Sequence, residues 1–147
     1  MSSTYIKRIL LAEDDPRDVE LTLEALSEHN IANLIDVVND GAEALDYLYH
    51  RGNYSGRKNG NPAVVLLDLK MPRLNGIDVL KAIKADPALK TIPIVVLTSS
   101  REETDLKMCY ELGVNAYVVK PVEFGDFMGA VKTLGAFWAI LNELPKE

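Results

Sequence analysis

The stretch Val64-Val65-Leu66-Leu67-Asp68 constrains this chain most. Four apolar residues run without alternation into a single acid, and the chain then turns through Pro72 and Asn75-Gly76. An unalternating apolar run bounded by turn residues is a strand buried on both faces, as in the middle of a parallel sheet. Asp68 then stands at the carboxyl end of that strand, the edge where open α/β sheets place their chemistry. Taken alone, an acid there is equally well an N-cap or turn residue. The other strand ends decide between the two.

Four further runs read as strands. Ile9-Leu10-Leu11-Ala12 ends at Glu13-Asp14-Asp15, and Asn33 to Val38 ends at Asp40-Gly41. Ile94 to Thr98 ends in the hydroxyls Thr98-Ser99-Ser100, and Ala116 to Val119 ends at Lys120-Pro121. Helical spacing lies between them. Pro16 opens a helix with Asp15 as its N-cap and Val19, Leu23 and Leu26 on one face, fading near His29-Asn30. Ala44, Leu45 and Leu48 mark a second helix, and Val79, Leu80 and Ile83 a third over about Gly76 to Ala85. A fourth runs from Glu102 to Leu112 with Gly113 as its stop. The last spans about Glu123 to Asn142, with Phe124, Phe127, Val131, Leu134, Trp138 and Leu141 on one stripe. Arg51 to Asn61 shows no apolar period and reads as a mobile surface connector rather than a partner contact. Alternating strands and helices with short connections predict an α/β fold: one doubly wound, five-stranded parallel sheet with helices on both faces, in a single domain over residues 1–147.

Bulk properties exclude several classes. A net charge of −6 and a pI near 5.0 argue against nucleic acid as a primary partner. No apolar run approaches a membrane span of about 18 residues, and Met1 to Tyr5 lacks the apolar core of a signal peptide. The single cysteine, Cys109, fits a reducing compartment and packs as a small apolar residue, so a cytoplasmic protein is expected. His29 and His50 are isolated in connecting regions, which disfavours a zinc or iron site. Only Pro145-Lys146-Glu147 lie well past the last helix, which leaves no room for a helix-turn-helix module; the expected output is a protein surface.

The strand ends give Glu13 and Asp14, Asp68, Thr98 and Lys120 along one edge. Carboxylates at close quarters repel unless a cation sits among them, and oxygen donors without His or Cys select a hard ion, Mg²⁺ by default. Lys120 adds a fixed positive charge and Thr98 a hydroxyl donor. A carboxylate so surrounded is suited to accept a phosphoryl group in line. Each residue also has a bland explanation: Lys120 as a structural partner of Asp68, Thr98 as a helix cap, the Glu13–Asp15 acids as complements to a helix dipole.

Glu13-Asp14, Asp68, Met71-Pro72, Asn75-Gly76, Thr98, Tyr117 and Lys120-Pro121 together resemble the receiver domain of two-component response regulators, over about Ile6 to Leu134, with residues 135–147 as an extended last helix and tail. Leu66 to Pro72, the long loop before it and the Phe137-Trp138 tail are similar to single-domain regulators paired with cyanobacterial phytochrome histidine kinases. The resemblance implies that Asp68 is the phosphoacceptor of a sensor histidine kinase and that the protein is not a turnover enzyme, only accepting and slowly losing its phosphoryl group. It implies Mg²⁺ held by Asp14, by Glu13 through water, by Asp68 and by the Lys70 backbone carbonyl. Thr98 and Lys120 would contact the phosphoryl oxygens, Lys120-Pro121 would be cis, and Tyr117 would be the aromatic switch. The acid pair departs from the family's Asp-Asp by one methylene, at Glu13. Ser99 is small enough to leave the donor a path. Two other classes compete. A flavodoxin-like cofactor binder needs a phosphate cradle where this chain has Glu13-Asp14-Asp15, and an aspartyl phosphatase resembles Asp-x-Asp where position 70 is Lys.

On the last helix Ala130 and Phe137 lie beside the apolar stripe, and Ile140 falls nearer the opposite face. Such a set predicts a homodimer through that helix, against the alternative of a longer core stripe closing over the N-terminal residues.

Overall fold

The computed structural model describes residues 8–27, 34–58, 60–99 and 102–119. Strand β3 (Val64–Leu67) is buried along its whole length. It is hydrogen-bonded in parallel to β1 (Ile9–Ala12) on one side and β4 (Ile94–Thr98) on the other. Strand β2 (Ile35–Val38) pairs with the free edge of β1, and β5 (Ala116–Val119) with that of β4. The order is β2-β1-β3-β4-β5, all parallel. The absence of alternation has its physical cause here, because side chains of both parities are covered. Leu10, Ala12, Val65, Leu67, Ile94 and Val96 pack in one cluster, and Ile9, Leu11, Val64, Leu66, Val95 and Leu97 in another.

Helix α1 (Pro16–Ser27) covers the second cluster with Val19 and Leu23. Its start is as the sequence predicts: the Arg17 amide donates to Asp15 Oδ1 at 2.9 Å, and Val19 N–H closes the first turn on the Asp15 carbonyl. The first cluster is covered by α2 (Gly41–Tyr49), α3 (Gly76–Ala85) and α4 (Glu103–Glu111). Cys109 is fully buried on α4, and burial, with a smaller contribution from nearby Asp105, pushes its thiol up to about 11. The chain leaves α4 through Gly113, at φ 90°. Each fully buried Leu, Ile or Val of these two layers contributes about 2 kcal/mol of transfer free energy. Among the described residues no helix is long and apolar enough to cross a membrane. The predicted last helix, and the N-terminal residues it was expected to meet, lie outside the described residues.

The stretch 51–61 is the surface connector expected, and its described residues make contacts that the sequence does not announce. Its described residues hold a 3-10 turn (Gly52–Tyr54) and are pinned to α2. The Arg57 guanidinium lies 3.9 Å from the centroid of the Tyr47 ring and donates through Nε and Nη2 to the Tyr47 carbonyl, while Nη1 reaches the Gly60 carbonyl at 3.0 Å. The Tyr54 ring meets Tyr47 edge-on at 5.2 Å, and its hydroxyl donates to Glu43 at 2.6 Å. The Tyr47 hydroxyl donates in turn to Asp36, which also takes two hydrogen bonds from Arg8. Burial and these carboxylate partners raise both phenol pKa values, so both rings stay neutral donors. Cation-ring and edge-to-face contacts leave no apolar period in a sequence, which is why the loop looked unstructured.

Replacing Arg57 by Ala removes the ring contact and three hydrogen bonds. We expect a loss of about 1–3 kcal/mol in urea unfolding and faster hydrogen exchange of the amides from Gly52 to Gly60. Unchanged exchange across that segment would show that Arg57 does not hold it.

Candidate functional site

The strand order reverses between β1 and β3, so the crevice outside their carboxyl ends lies at the topological switch point. Ala12 and Leu67 are register partners, and the residues that follow them emerge side by side. Their backbones are fixed by ladder bonds: Asp68 N–H donates to the Ala12 carbonyl and Glu13 N–H to that of Val38, each at 3.0 Å. One carboxylate oxygen each from Glu13, Asp14 and Asp68 lies within 4.8 Å of the others. Glu13 and Asp68 are only 3% and 6% exposed, whereas Asp14 faces solvent.

Two unit charges at that separation repel by about 3 kcal/mol at an effective dielectric of about 20. Local donors offset part of this. Asp15 N–H donates to Glu13 Oε2 and Lys70 N–H to Asp68 Oδ1, each at 3.2 Å. A divalent cation among the oxygens would add an attraction to each carboxylate that outweighs their mutual repulsion. The donor set is all oxygen, which suits a hard ion. The residues present therefore fit a small divalent cation.

Asp68 is held by a tight loop. Gly76 N–H donates back to the Leu69 carbonyl at 2.9 Å, closing residues 69–76 into a ring, and Leu74 N–H reaches the Pro72 carbonyl at 2.7 Å. A Cβ at Gly76 would overlap the backbone carbonyl of Asp68 and lie 2.7 Å from Leu69 Cα, so only glycine allows α3 to start this close. Asn75 does more than turn the chain: its Oδ1 accepts from Asp78 N–H at 2.9 Å and caps α3. Asn-Gly reads alike as a turn and as a cap followed by N1, so the sequence alone did not separate them. A cleft of about 530 Å³ opens beside the acids, lined by Asp14, Lys70, Met71, Ile77, Glu102 and Asp105 among others.

Of the other predicted residues, Thr98 is fully buried at the end of β4, next to β3, and Ser99 after it is exposed. Tyr117 is half-buried on β5 with Val96 as its register partner and packs against the cluster that holds Val96. Strand alternation puts Thr98 on that same face. Lys70 is exposed. Lys120, its bond to Pro121, and Ala130, Phe137 and Ile140 lie outside the described residues.

Comparisons with known proteins agree with this arrangement. The family model described as the response regulator receiver domain matches residues 9–132. Response regulator Rcp1 of a Synechocystis strain is 38% identical over 139 residues, spanning 95% of this chain and 93% of that protein. A crystal structure of the Mn²⁺-bound form of response regulator Rcp1 superposes with a TM-score of 0.81 at 39% identity, covering 90% of this chain and 94% of that one. The phosphorylated cyanobacterial phytochrome response regulator RcpA superposes at 0.82 with 38% identity, covering 95% and 99%. The bacteriophytochrome response regulator AtBRR is 58% identical, with a TM-score of 0.75 and coverage of 94% and 99%. With the family model spanning most of its length and these relatives matched nearly end to end, the chain belongs to the response regulator receiver domain family.

Proposed function

We propose that this protein is a phosphoacceptor of a two-component system, with Asp68 as the accepting residue and a sensor histidine kinase as donor. One observation carries the reading: three carboxylates converge within 4.8 Å at the switch point of the sheet, with Asp68 at the centre of the strand pattern. In the reaction an Asp68 oxygen attacks the phosphorus of a phosphohistidine, the P–N bond breaks, and the imidazole leaves with the electron pair and takes up a proton. Mg²⁺ would be held by Asp14, Asp68, the Lys70 carbonyl and, through water, Glu13; when bound it neutralises the acids and the incoming phosphate. The ladder bond from Asp68 to Ala12 and the closed loop 69–76 keep the nucleophile in place as the donor arrives. Thr98 and Lys120 would hold phosphoryl oxygens. The resemblance supplies Lys120; burial at the neighbouring strand end supports Thr98.

The relatives named as phytochrome and bacteriophytochrome regulators support a kinase of the phytochrome type. The Mn²⁺-bound relative supports a divalent ion at the acids. Nothing favours a cofactor cradle, since Glu13, Asp14 and Asp15 occupy the loop after β1.

Incubation with Mg²⁺ and a phospho-donor should label the wild type with one phosphoryl group. EDTA should abolish labelling, and Asp68→Asn, which keeps shape and loses the nucleophile, should not label. Labelling of Asp68→Asn at the wild-type rate would remove the assignment.

The shared face of Thr98 and Tyr117 supports a path from the phosphoryl group to the surface around α4 and β5. The added charge of about −1.5 to −2 is local, so a two-state element must carry it outward. Thr98→Ala should still accept phosphate yet lose at least about tenfold of the phosphorylation-dependent change in kinase or partner affinity. Full retention of that change in both Thr98→Ala and Tyr117→Ala would exclude the path.

A further inference from the structure

The start of α2 presses on the loop that follows Asp68. Gly41 opens the helix, and a Cβ there would overlap the carbonyl oxygen of Leu74 and lie 2.7 Å from its carbon. The overlap is with backbone, which no rotamer change relieves. Beside it, Asp40 uses its two oxygens for different tasks. Oδ1 accepts from Glu43 N–H at 2.7 Å and caps α2, while Oδ2 takes the Arg73 guanidinium at 3.3 Å. Arg73 sits in the left-handed region, at φ 68°, where a non-glycine residue is strained. Glu43, in turn, accepts from Asn39 N–H at 2.8 Å and from the Tyr54 hydroxyl at 2.6 Å, so the helix start is itself fastened at two points.

We infer that Asp40, Gly41 and Arg73 are positioning residues for the cation site: the fixed start of α2 sets where the loop 69–76 lies, and so where the Lys70 carbonyl points. The loop is closed by the Gly76–Leu69 hydrogen bond and tightened by the Leu74–Pro72 one, which gives a shift at Leu74 a short route to Lys70 and Asp68. The left-handed backbone at Arg73 accompanies the contact of its guanidinium with Asp40. The inference rests on reading Glu13, Asp14 and Asp68, with the Lys70 carbonyl, as a divalent-cation site.

Three variants probe the contact, and two of them, Gly41→Ala and Arg73→Gly, separate positioning from plain charge effects. Gly41→Ala forces Leu74 to move. Asp40→Asn keeps the helix cap, since Asn caps as well as Asp, and removes the charge facing Arg73. Arg73→Gly relieves the backbone and removes the guanidinium. Mn²⁺ affinity is read by the spectrum of the free ion in a titration, and stability without metal by urea unfolding. The wild type should bind one Mn²⁺. Gly41→Ala should bind it at least about tenfold more weakly. Arg73→Gly and Asp40→Asn should each weaken binding by about two- to fivefold, the range of an exposed ion pair, and the double variant should be no weaker than the worse single one. Arg73→Gly should lose affinity while its metal-free unfolding midpoint holds or rises, because glycine accepts the left-handed backbone. A pure field effect gives the opposite sign for this variant, since deleting a positive charge near the acids would tighten Mn²⁺. Tighter binding by Arg73→Gly, or wild-type affinity in a folded Gly41→Ala, would overturn the inference alone. A wild type that binds no Mn²⁺ would overturn the cation-site reading and this inference with it.

Discussion

Mutual repulsion among Glu13, Asp14 and Asp68 is the constraint on which the arrangement depends. The sheet forces it. Parallel register puts Ala12 beside Leu67, and the next residue of each strand must emerge at the same edge. Two of the three carboxylates are nearly shut off from solvent, where water screens charge least. A cation bound among the three oxygens would be attracted to all of them at once. On the proposed reading of Asp68 as the phosphoacceptor, the same convergence means that an approaching phosphate meets it only when the negative field around it has been neutralised.

The scaffold answers this with rigidity where the acids sit. Both strand ends are held by backbone ladder bonds, and the loop after Asp68 is closed on itself and pressed from two sides by helix starts at Gly41 and Gly76. Those helices rest on one large apolar cluster, so burial energy far from the site fixes the backbone that forms it. Tyr47, Tyr54 and Arg57 tie the segment 51–58 to α2, and through Glu43 that tie reaches the helix start that meets Leu74. The backbone at the acids is thus held by a chain of contacts that runs from the core and from the surface segment beside α2.

Strands buried on both faces were legible because continuous apolar runs have few other uses, and the acids, Thr98 and Asp15 were legible because each follows such a run or precedes helical spacing. The boundaries of β1, β3 and β4 follow directly from those runs. What could not be read was contact across long sequence distance. Arg73 meeting Asp40 and Arg8 meeting Asp36 depend on the assembled sheet and helices, and no local pattern announces them. The contacts made by the described residues of 51–61 were hidden for a related reason: they come from an arginine stacked on a tyrosine and from backbone carbonyls, which apolar periodicity does not register. Asn75 was ambiguous because a turn and a helix cap demand the same short polar side chain.

The most direct test of the central claim is chemical mapping of the phosphoryl group. The wild-type protein is phosphorylated with Mg²⁺ present, the acyl phosphate is reduced with borohydride, and the peptides are sequenced by mass spectrometry. The account predicts homoserine at position 68 and aspartate retained at position 14. Homoserine at position 14, or a stable phosphoryl group on Thr98 or Ser99 with Asp68 untouched, would contradict it.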